Sequence, residues 1–245
     1  MLVISDLHLE HEDDALTRTL SQFLRNTATQ HEQLFILGDL FELWIGDDEN
    51  SALAARVADE LNQLGDSGTK VYLMHGNRDF LIGEQFASQA GLTLVQEPYI
   101  IGSPENPVVL LHGDILCTLD TEYMRFRTMV RNPHWQQEFL SKPIAERQQF
   151  AHQARARSKQ DTGQKAEEIM DVTASEVNRL MQELNVRTMI HGHTHRPNIH
   201  HFKLQNAIHG STDATRVVLG DWHRKGWYAI YDGNEISLQH FPLLP

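Results

Sequence analysis

Short apolar runs rich in Val, Ile and Leu punctuate the first 112 residues: Leu2–Ser5, Leu34–Leu37, Val71–Met74 and Val108–Leu111. A fifth, Thr188–Ile190, follows much later. Runs of this length, bounded by Gly, predict buried strands. Helical stripes lie between them. Asp14–Asn26 places Leu16, Leu20, Phe23 and Leu24 on one face. Ser51 caps a helix through Leu64, with Leu53, Val57, Leu61 and Leu64 inward. Asp79 begins a short helix that ends at Gly91. Strands are predicted at Leu92–Val95 and Tyr99–Gly102. A run of strands closes the chain at Arg187–Ile190, Asn198–Leu204, Thr215–Leu219, Trp227–Tyr231 and Ile236–His240. Two sheets flanked by helices follow from this order.

The stretch between His112 and His193 breaks the alternation. Helices are predicted at Thr121–Val130, Trp135–Leu140, Ile144–Arg157 and Ala166–Leu184, with Pro133 and Pro143 separating the first three. The last turns Ile169, Val172, Val177, Leu180 and Leu184 toward a core. The earlier ones carry Met124, Phe126, Met129, Val130, Trp135, Phe139 and Leu140, many large apolar residues for an insertion. Pattern alone leaves two readings: a helical mini-core, or an adaptable groove for acyl chains.

Each of the five runs leads into residues that bind metals. Asp6 and His8 follow the first, Gly38 and Asp39 the second, Gly76 and Asn77 the third. His112 follows the fourth; Gly192, His193 and His195 follow the fifth. Side chains at strand ends converge on one rim of a sheet, where α/β proteins bind ligands. Singly, each has an ordinary explanation: a strand-end Asp often caps a helix, and a lone His such as His112 is more often no ligand. Together, two Asp, one Asn and four His exceed the needs of one four-coordinate ion and suit two ions that share a ligand. The oxygen and imidazole set, with no thiolate, suits Mn²⁺ or Fe²⁺ and could hold Zn²⁺. His191 precedes Gly192 and is expected to face away.

The blocks D-x-H (Asp6, His8), G-D (Gly38, Asp39), G-N-x-D (Gly76, Asn77, Asp79), H-G-D (His112, Gly113, Asp114) and G-H-x-H (Gly192, His193, His195) resemble those of the calcineurin-like metallophosphoesterases, from residue 2 to about residue 223. The resemblance implies an α/β fold, an αββα sandwich of two mixed sheets flanked by helices. One domain would span 1–245, with a helical lid at about 120–165. It also implies two divalent ions, best Mn²⁺, bridged by Asp39. Asp6, His8 and His195 would complete one ion; Asn77, His112 and His193 would complete the other. Asp114, Thr194 or backbone carbonyls are the candidates for orienting the imidazoles. Catalysis would run through Asp39, Asn77, His112 and His193 by way of the metal centre, with Arg78.

Finer blocks narrow the resemblance: L-F-E-L-W-I-G-D-D from Leu40, G-N-R-D-F from Gly76, H-G-D-I-L-C-T from His112 and H-G-H-T-H-R-P from His191. They resemble the branch that acts on UDP-2,3-diacylglucosamine in lipid A synthesis. That implies hydrolysis of a pyrophosphate by a hydroxide activated by two metals, giving UMP and 2,3-diacylglucosamine 1-phosphate (lipid X). Substrate contacts implied are Asn77, Arg78, Asp120, Ser158, Thr162, Lys165 and His193, with Tyr123 and Arg155 as neighbours. Thr162 stands where that branch carries Asn. Many family members carry His after the motif Asn, where it protonates an alkoxide. Arg78 cannot donate a proton at neutral pH but can clamp phosphate oxygens, which favours a P–O–P linkage whose leaving phosphate needs no proton. The alternatives are a soluble nucleotide pyrophosphatase or phosphodiesterase, and a non-catalytic scaffold, which would be expected to have lost ligands.

Charge and composition sharpen this. A net charge of −12 argues against a nucleic-acid partner. The stretch Thr121–Lys165 runs the other way, with nine Lys/Arg against four acids. It is either a solvated helical face or a basic cap toward an anionic substrate or lipid surface. No apolar stretch approaches the roughly 20 residues of a spanning helix, so membrane contact would be peripheral, on the cytoplasmic face of the inner membrane. The chain opens in a strand pattern at Leu2, so no export signal is expected. The lone Cys117 fits a reducing cytosol. No protein partner is implied.

Overall fold

A computed structural model of the chain describes residues 1–162, 169, 171–206 and 210–245, with side chains described for these except at 159–162, 205–206 and 210–211. Strands β1 (Leu2–Ile4), β2 (Gln33–Ile36), β3 (Lys70–Met74) and β4 (Thr93–Val95) are parallel neighbours. β10 (Lys225–Tyr231) and β11 (Ile236–Pro242) extend this sheet antiparallel beyond β1. A second sheet takes the order β5 (Tyr99–Ser103), β6 (Asn106–Leu111), β7 (Thr188–His191), β9 (Gly210–Val218), β8 (Asn198–Asn206). Both sheets are mixed, as expected.

Alternation along the strands builds the layers, because successive side chains leave a strand on opposite faces. Val3, Phe35, Val108, Leu110 and Ile190 meet between the sheets. Leu2, Ile4, Leu34 and Ile36 turn outward to helices α1 (Ala15–Asn26), α2 (Ala52–Asp66) and α3 (Glu84–Gln89). Val109 and Leu111 turn outward from the second sheet to α7 (Ala174–Glu183). The result is the αββα sandwich. Asp14 and Ser51 cap α1 and α2 through their side chains, accepting from Thr17 N and Ala54 N.

Several boundaries differ from the sequence reading. The helix from Ile144 runs to Thr162 and not Arg157, and α2, β8, β10 and β11 shift by about two residues. α3 begins at Glu84, not Asp79, because the Asp79 carboxylate is buried and accepts backbone N–H groups from other loops. α7 begins only at Ala174, after Thr173; Val172 packs against the core without being helical, and much of 166–171 lies outside the described residues. α5 starts at Pro133, since Asn132 caps it and proline suits the first turn. β9 reaches back to Gly210, where its pairing with β8 carries it. The remaining insertion helices are α4 (Thr121–Val130) and α6 (Ile144–Thr162).

Candidate metal centre and the cavity beside it

The ends of β1, β2, β3, β6 and β7 all open on one rim, and the chain turns there through strained backbone. Among the described residues, seven non-glycine residues have positive φ, and five of them are Asp6, His8, Asp39, His193 and His195. Each left-handed residue of this kind costs on the order of 1–3 kcal/mol and persists only where the surroundings impose it. The surroundings here are specific. Asp6 N donates to Gly38 O, and His8 N to Asp39 O. Asp6 accepts His193 N at 2.9 Å and Ser5 Oγ at 2.5 Å. Asp79 accepts from Leu40 N and Gly76 N, each at 2.8 Å, and from Asp39 N at 3.2 Å. That carboxylate binds the Asp39 loop to the Asn77 loop, a role its place in the G-N-x-D block did not reveal. Glycine is required where the loops touch. A Cβ on Gly76 would stand 2.9 Å from Asp39 Cγ and closer still to its amide nitrogen.

All seven strand-end side chains converge. Asp6, His8 and His195 present ligand atoms within 4.8 Å of one another, and so do Asp6, Asp39 and His112. His8 Nε2 lies 3.3 Å from His195 Nε2. Asn77 Oδ1 lies 2.9 Å from His112 Nε2 and 2.8 Å from His193 Nδ1. Asp6 belongs to both groups, and Asp39 reaches toward an imidazole on each side: Oδ2 is 3.8 Å from His8 Nε2, and Oδ1 is 3.8 Å from His112 Nε2.

This donor set fits divalent cations. The Asn77 amide stands against His112, His193 and Asp39 in either orientation, so its oxygen can be offered to a cation there. Three imidazoles are held from behind. His112 Nδ1 faces the Leu37 carbonyl at 2.8 Å, which leaves Nε2 free to ligate. His8 Nδ1 lies 2.9 Å from Glu42 Oε2, and His195 Nδ1 lies 3.5 Å from Asp221 Oδ2. Glu42 and Asp221 were missed in the sequence, because no motif spacing marks a carboxylate that touches a ligand from behind. Asp114 instead binds Tyr123 Oη and Arg127 Nε, and Thr194 Oγ1 is buried with no hydrogen-bond partner among the described residues.

Electrostatics agree. Burial alone would push His112 down, but Asp39, Asp114, Asp6 and Glu97 outweigh it and raise the imidazole to about 9. The field that holds this proton also attracts a cation that would displace it. Burial and the neighbouring His112 push His193 down to about 4, so its ring is neutral at pH 7 and offers a lone pair. Burial and Arg216 push His191 down to about 3. His191 takes no part in the cluster; it meets the Gly192 carbonyl and Arg216.

A cavity of about 570 Å³ opens beside the cluster. Asn77, Arg78, Asp120, Ser158 and His193 all line it. The Asp120 carboxylate also caps α4 through Tyr123 N. The side chain of Thr162, and Lys165 altogether, lie outside the described residues. Of the insertion's apolar residues, Phe126, Met129, Trp135 and Phe139 line the cavity, joined by Phe150 of α6. Met124, Val130 and Leu140 do not: Val130 is buried, and Leu140 is exposed. Phe139 serves both proposed purposes, since it belongs to the main core and stacks on Trp135 with ring centroids 4.8 Å apart.

The basic stretch is less free than its charge suggests. Arg127 pairs with Asp114 and Glu97, Arg131 donates to the Gly76 carbonyl, Arg147 is buried against Asp48, and Arg155 pairs with Glu42. Four of the nine cations therefore fasten the insertion to the strand-end loops.

Comparison with known proteins follows the same lines. Residues 1–197 match the family of calcineurin-like phosphoesterases. The chain is 47% identical over 245 residues to the UDP-2,3-diacylglucosamine hydrolase of Ectopseudomonas mendocina (strain ymp), covering 100% of this chain and 99% of that one. It is 46% identical over 242 residues to the enzyme of the same name from Cellvibrio japonicus (strain Ueda107), covering 99% of each. It is 47% identical over 243 residues to that of Pseudomonas aeruginosa (strain UCBPP-PA14), again covering 99% of each.

Proposed function

Since the chain belongs to the calcineurin-like phosphoesterase family, we propose that it hydrolyses the pyrophosphate of UDP-2,3-diacylglucosamine to UMP and 2,3-diacylglucosamine 1-phosphate (lipid X), a step of lipid A synthesis. Full-length identity near 47% to hydrolases of that name carries the reading. The observation that supports it within the molecule is a polar strand-end cluster opening into an apolar-walled cavity.

The family implies divalent metal ions. The proposed ligands are Asp6, His8 and His195 for one ion, Asn77, His112 and His193 for the other, and Asp39 between them, one oxygen toward each group. The oxygen and nitrogen donors, with no thiolate, suit Mn²⁺. When bound, such ions lower the pKa of water and neutralise charge on phosphate oxygens.

The chain's own residues do the rest. Arg78 lines the cavity next to Asn77, and its backbone N–H fixes Asp39 Oδ1 at 2.8 Å. Its guanidinium clamps phosphate oxygens and stays charged throughout. His193, neutral at pH 7, is no imidazolium and so no general acid there, which suits a leaving group that departs as a phosphate monoester. Asp120 and Ser158, with Thr162 and Lys165, would meet the sugar or its phosphate. Phe126, Met129, Trp135, Phe139 and Phe150 would wall the acyl chains, each buried CH₂ contributing about 0.8 kcal/mol. In this reading residues 120–165 are the lid of a single domain.

Such a substrate lives in a bilayer, so the protein would work at the cytoplasmic face of the inner membrane. No helix among the described residues is long and apolar enough to cross a membrane, so the contact would be peripheral. Exposed Leu119, Leu140 and Ile144, which do not line the cavity, belong to the insertion or its border and would face the lipid. The test is release of UMP from UDP-2,3-diacylglucosamine with Mn²⁺, beside UDP-glucose and a simple alkyl phosphodiester. Equal turnover of UDP-glucose would reduce the protein to a soluble nucleotide pyrophosphatase. Mn²⁺ binding without hydrolysis of any of the three would make it a scaffold.

A further inference from the structure

We propose that Glu42 is a positioning residue that couples helix α6, over the cavity, to the His8 side of the metal centre. The inference rests on the reading of His8 as a metal ligand. Glu42 divides its carboxylate between two partners. Oε2 lies 2.9 Å from His8 Nδ1, off the N–H axis, so the contact is electrostatic and not a straight hydrogen bond. Oε1 pairs with Arg155 of α6. The glutamate side chain is only 14% exposed and His8 19%, so that contact is little screened, while Arg155, 38% exposed, is screened in part.

The coupling matters because of how α6 is held. Its sequence is polar on nearly every side, and its ties to the strand-end loops are polar too. Arg147 meets Asp48, and Gln148 meets Glu49 at 3.2 Å; both lie in the first turns. Arg155 lies two turns further on, close before Ser158, which faces the cavity. It holds the part of α6 that borders the proposed substrate. A cation at His8 Nε2 draws electron density from the ring and strengthens the attraction of Nδ1–H for a carboxylate. Glu42 is thereby fixed, and Arg155 with it. Linkage is reciprocal: if the cation orders α6, an anchored α6 must favour the cation by the same factor.

The test uses the full chain, with Mn²⁺ alone as the probe. Hydrogen exchange of α6 is measured with and without Mn²⁺, and Mn²⁺ affinity is measured by competition with a chelating indicator. In the wild type, Mn²⁺ slows exchange around Phe150–Ser158. Glu42→Gln loses that response and binds Mn²⁺ about tenfold more weakly, at the low end for a residue that supports a ligand imidazole. Arg155→Met, away from the ligands, also loses the response, and its affinity falls by about threefold through the linkage. Arg155→Lys restores part of both, which a folding defect would not. Slowing that is equal in wild type, Glu42→Gln and Arg155→Met overturns the proposal. So does bound Mn²⁺ that leaves α6 exchange unchanged in the wild type. Failure of the wild type to bind Mn²⁺ at all removes the metal reading itself, and the coupling with it.

Discussion

Adding one methyl group at Gly76 should disable the site while leaving the fold intact. Gly76 does not have positive φ, so Gly76→Ala carries no conformational penalty of its own. The effect is steric. The new Cβ would stand 2.9 Å from Asp39 Cγ and closer to Asp39 N and Oδ1, where ordinary contact begins near 3.4 Å. The crowded atoms are backbone and a carboxylate already fixed by Asp79 and Arg78 N, so no flexible side chain can yield. Asp39 must therefore move, by on the order of 1 Å, and a shift of that size costs roughly 10²-fold in rate. The assay is steady-state hydrolysis over a Mn²⁺ titration, with thermal melts alongside. Gly68→Ala is the control: Gly68 has φ of +105° and nothing within 4 Å of a built Cβ. It should lose about 1 kcal/mol of stability and no activity. A Gly76→Ala protein with activity within threefold of wild type at saturating Mn²⁺ would refute the account of how Asp39 is placed.

Three further outcomes follow from the same geometry. Arg78→His should cut pyrophosphate hydrolysis by about 10²-fold, since a charge clamp on phosphate is lost, and should help alkyl phosphodiesters if anything; faster pyrophosphate hydrolysis would dismiss the clamp. Phe126→Ala, on the cavity wall, should raise KM for a long-chain substrate by about tenfold, from about 1.4 kcal/mol of lost burial, and leave a short-chain analogue nearly unchanged; equal effects would make Phe126 a packing residue only. Cys117 lines the cavity, yet burial, with Asp114, Asp171 and Asp120 beside it, pushes its thiol up to about 12. At pH 8 about one thiol in ten thousand would be thiolate, so iodoacetamide should label the chain only after unfolding, as mass spectrometry would show; rapid labelling of the native protein would contradict that environment.

Local signals were enough for most of the layers and for the cluster's membership. A strand's period of two sets Leu2 and Ile4 on one face and Val3 on the other before any neighbour is known, and the Asp14 and Ser51 caps depend only on the residues just after them. The seven convergent side chains were legible for the same reason: each follows a strand, and strand ends in such folds share a rim. What those side chains lean on was not legible. Asp79 reads as a helix cap but serves as a buried clamp between two loops. Glu42 and Asp221 stand behind His8 and His195 although 34 and 26 positions separate the pairs. The basic stretch reads as a charged surface, yet Arg147 is among the most buried residues of the chain. Leu140 reads as a groove wall, while Phe150, nearly two turns into the polar helix α6, lines the cavity instead. Periodicity reports the face a residue presents within its own element. Which distant carboxylate, carbonyl or ring meets that face depends on how the elements dock, and only the tertiary structure decides that.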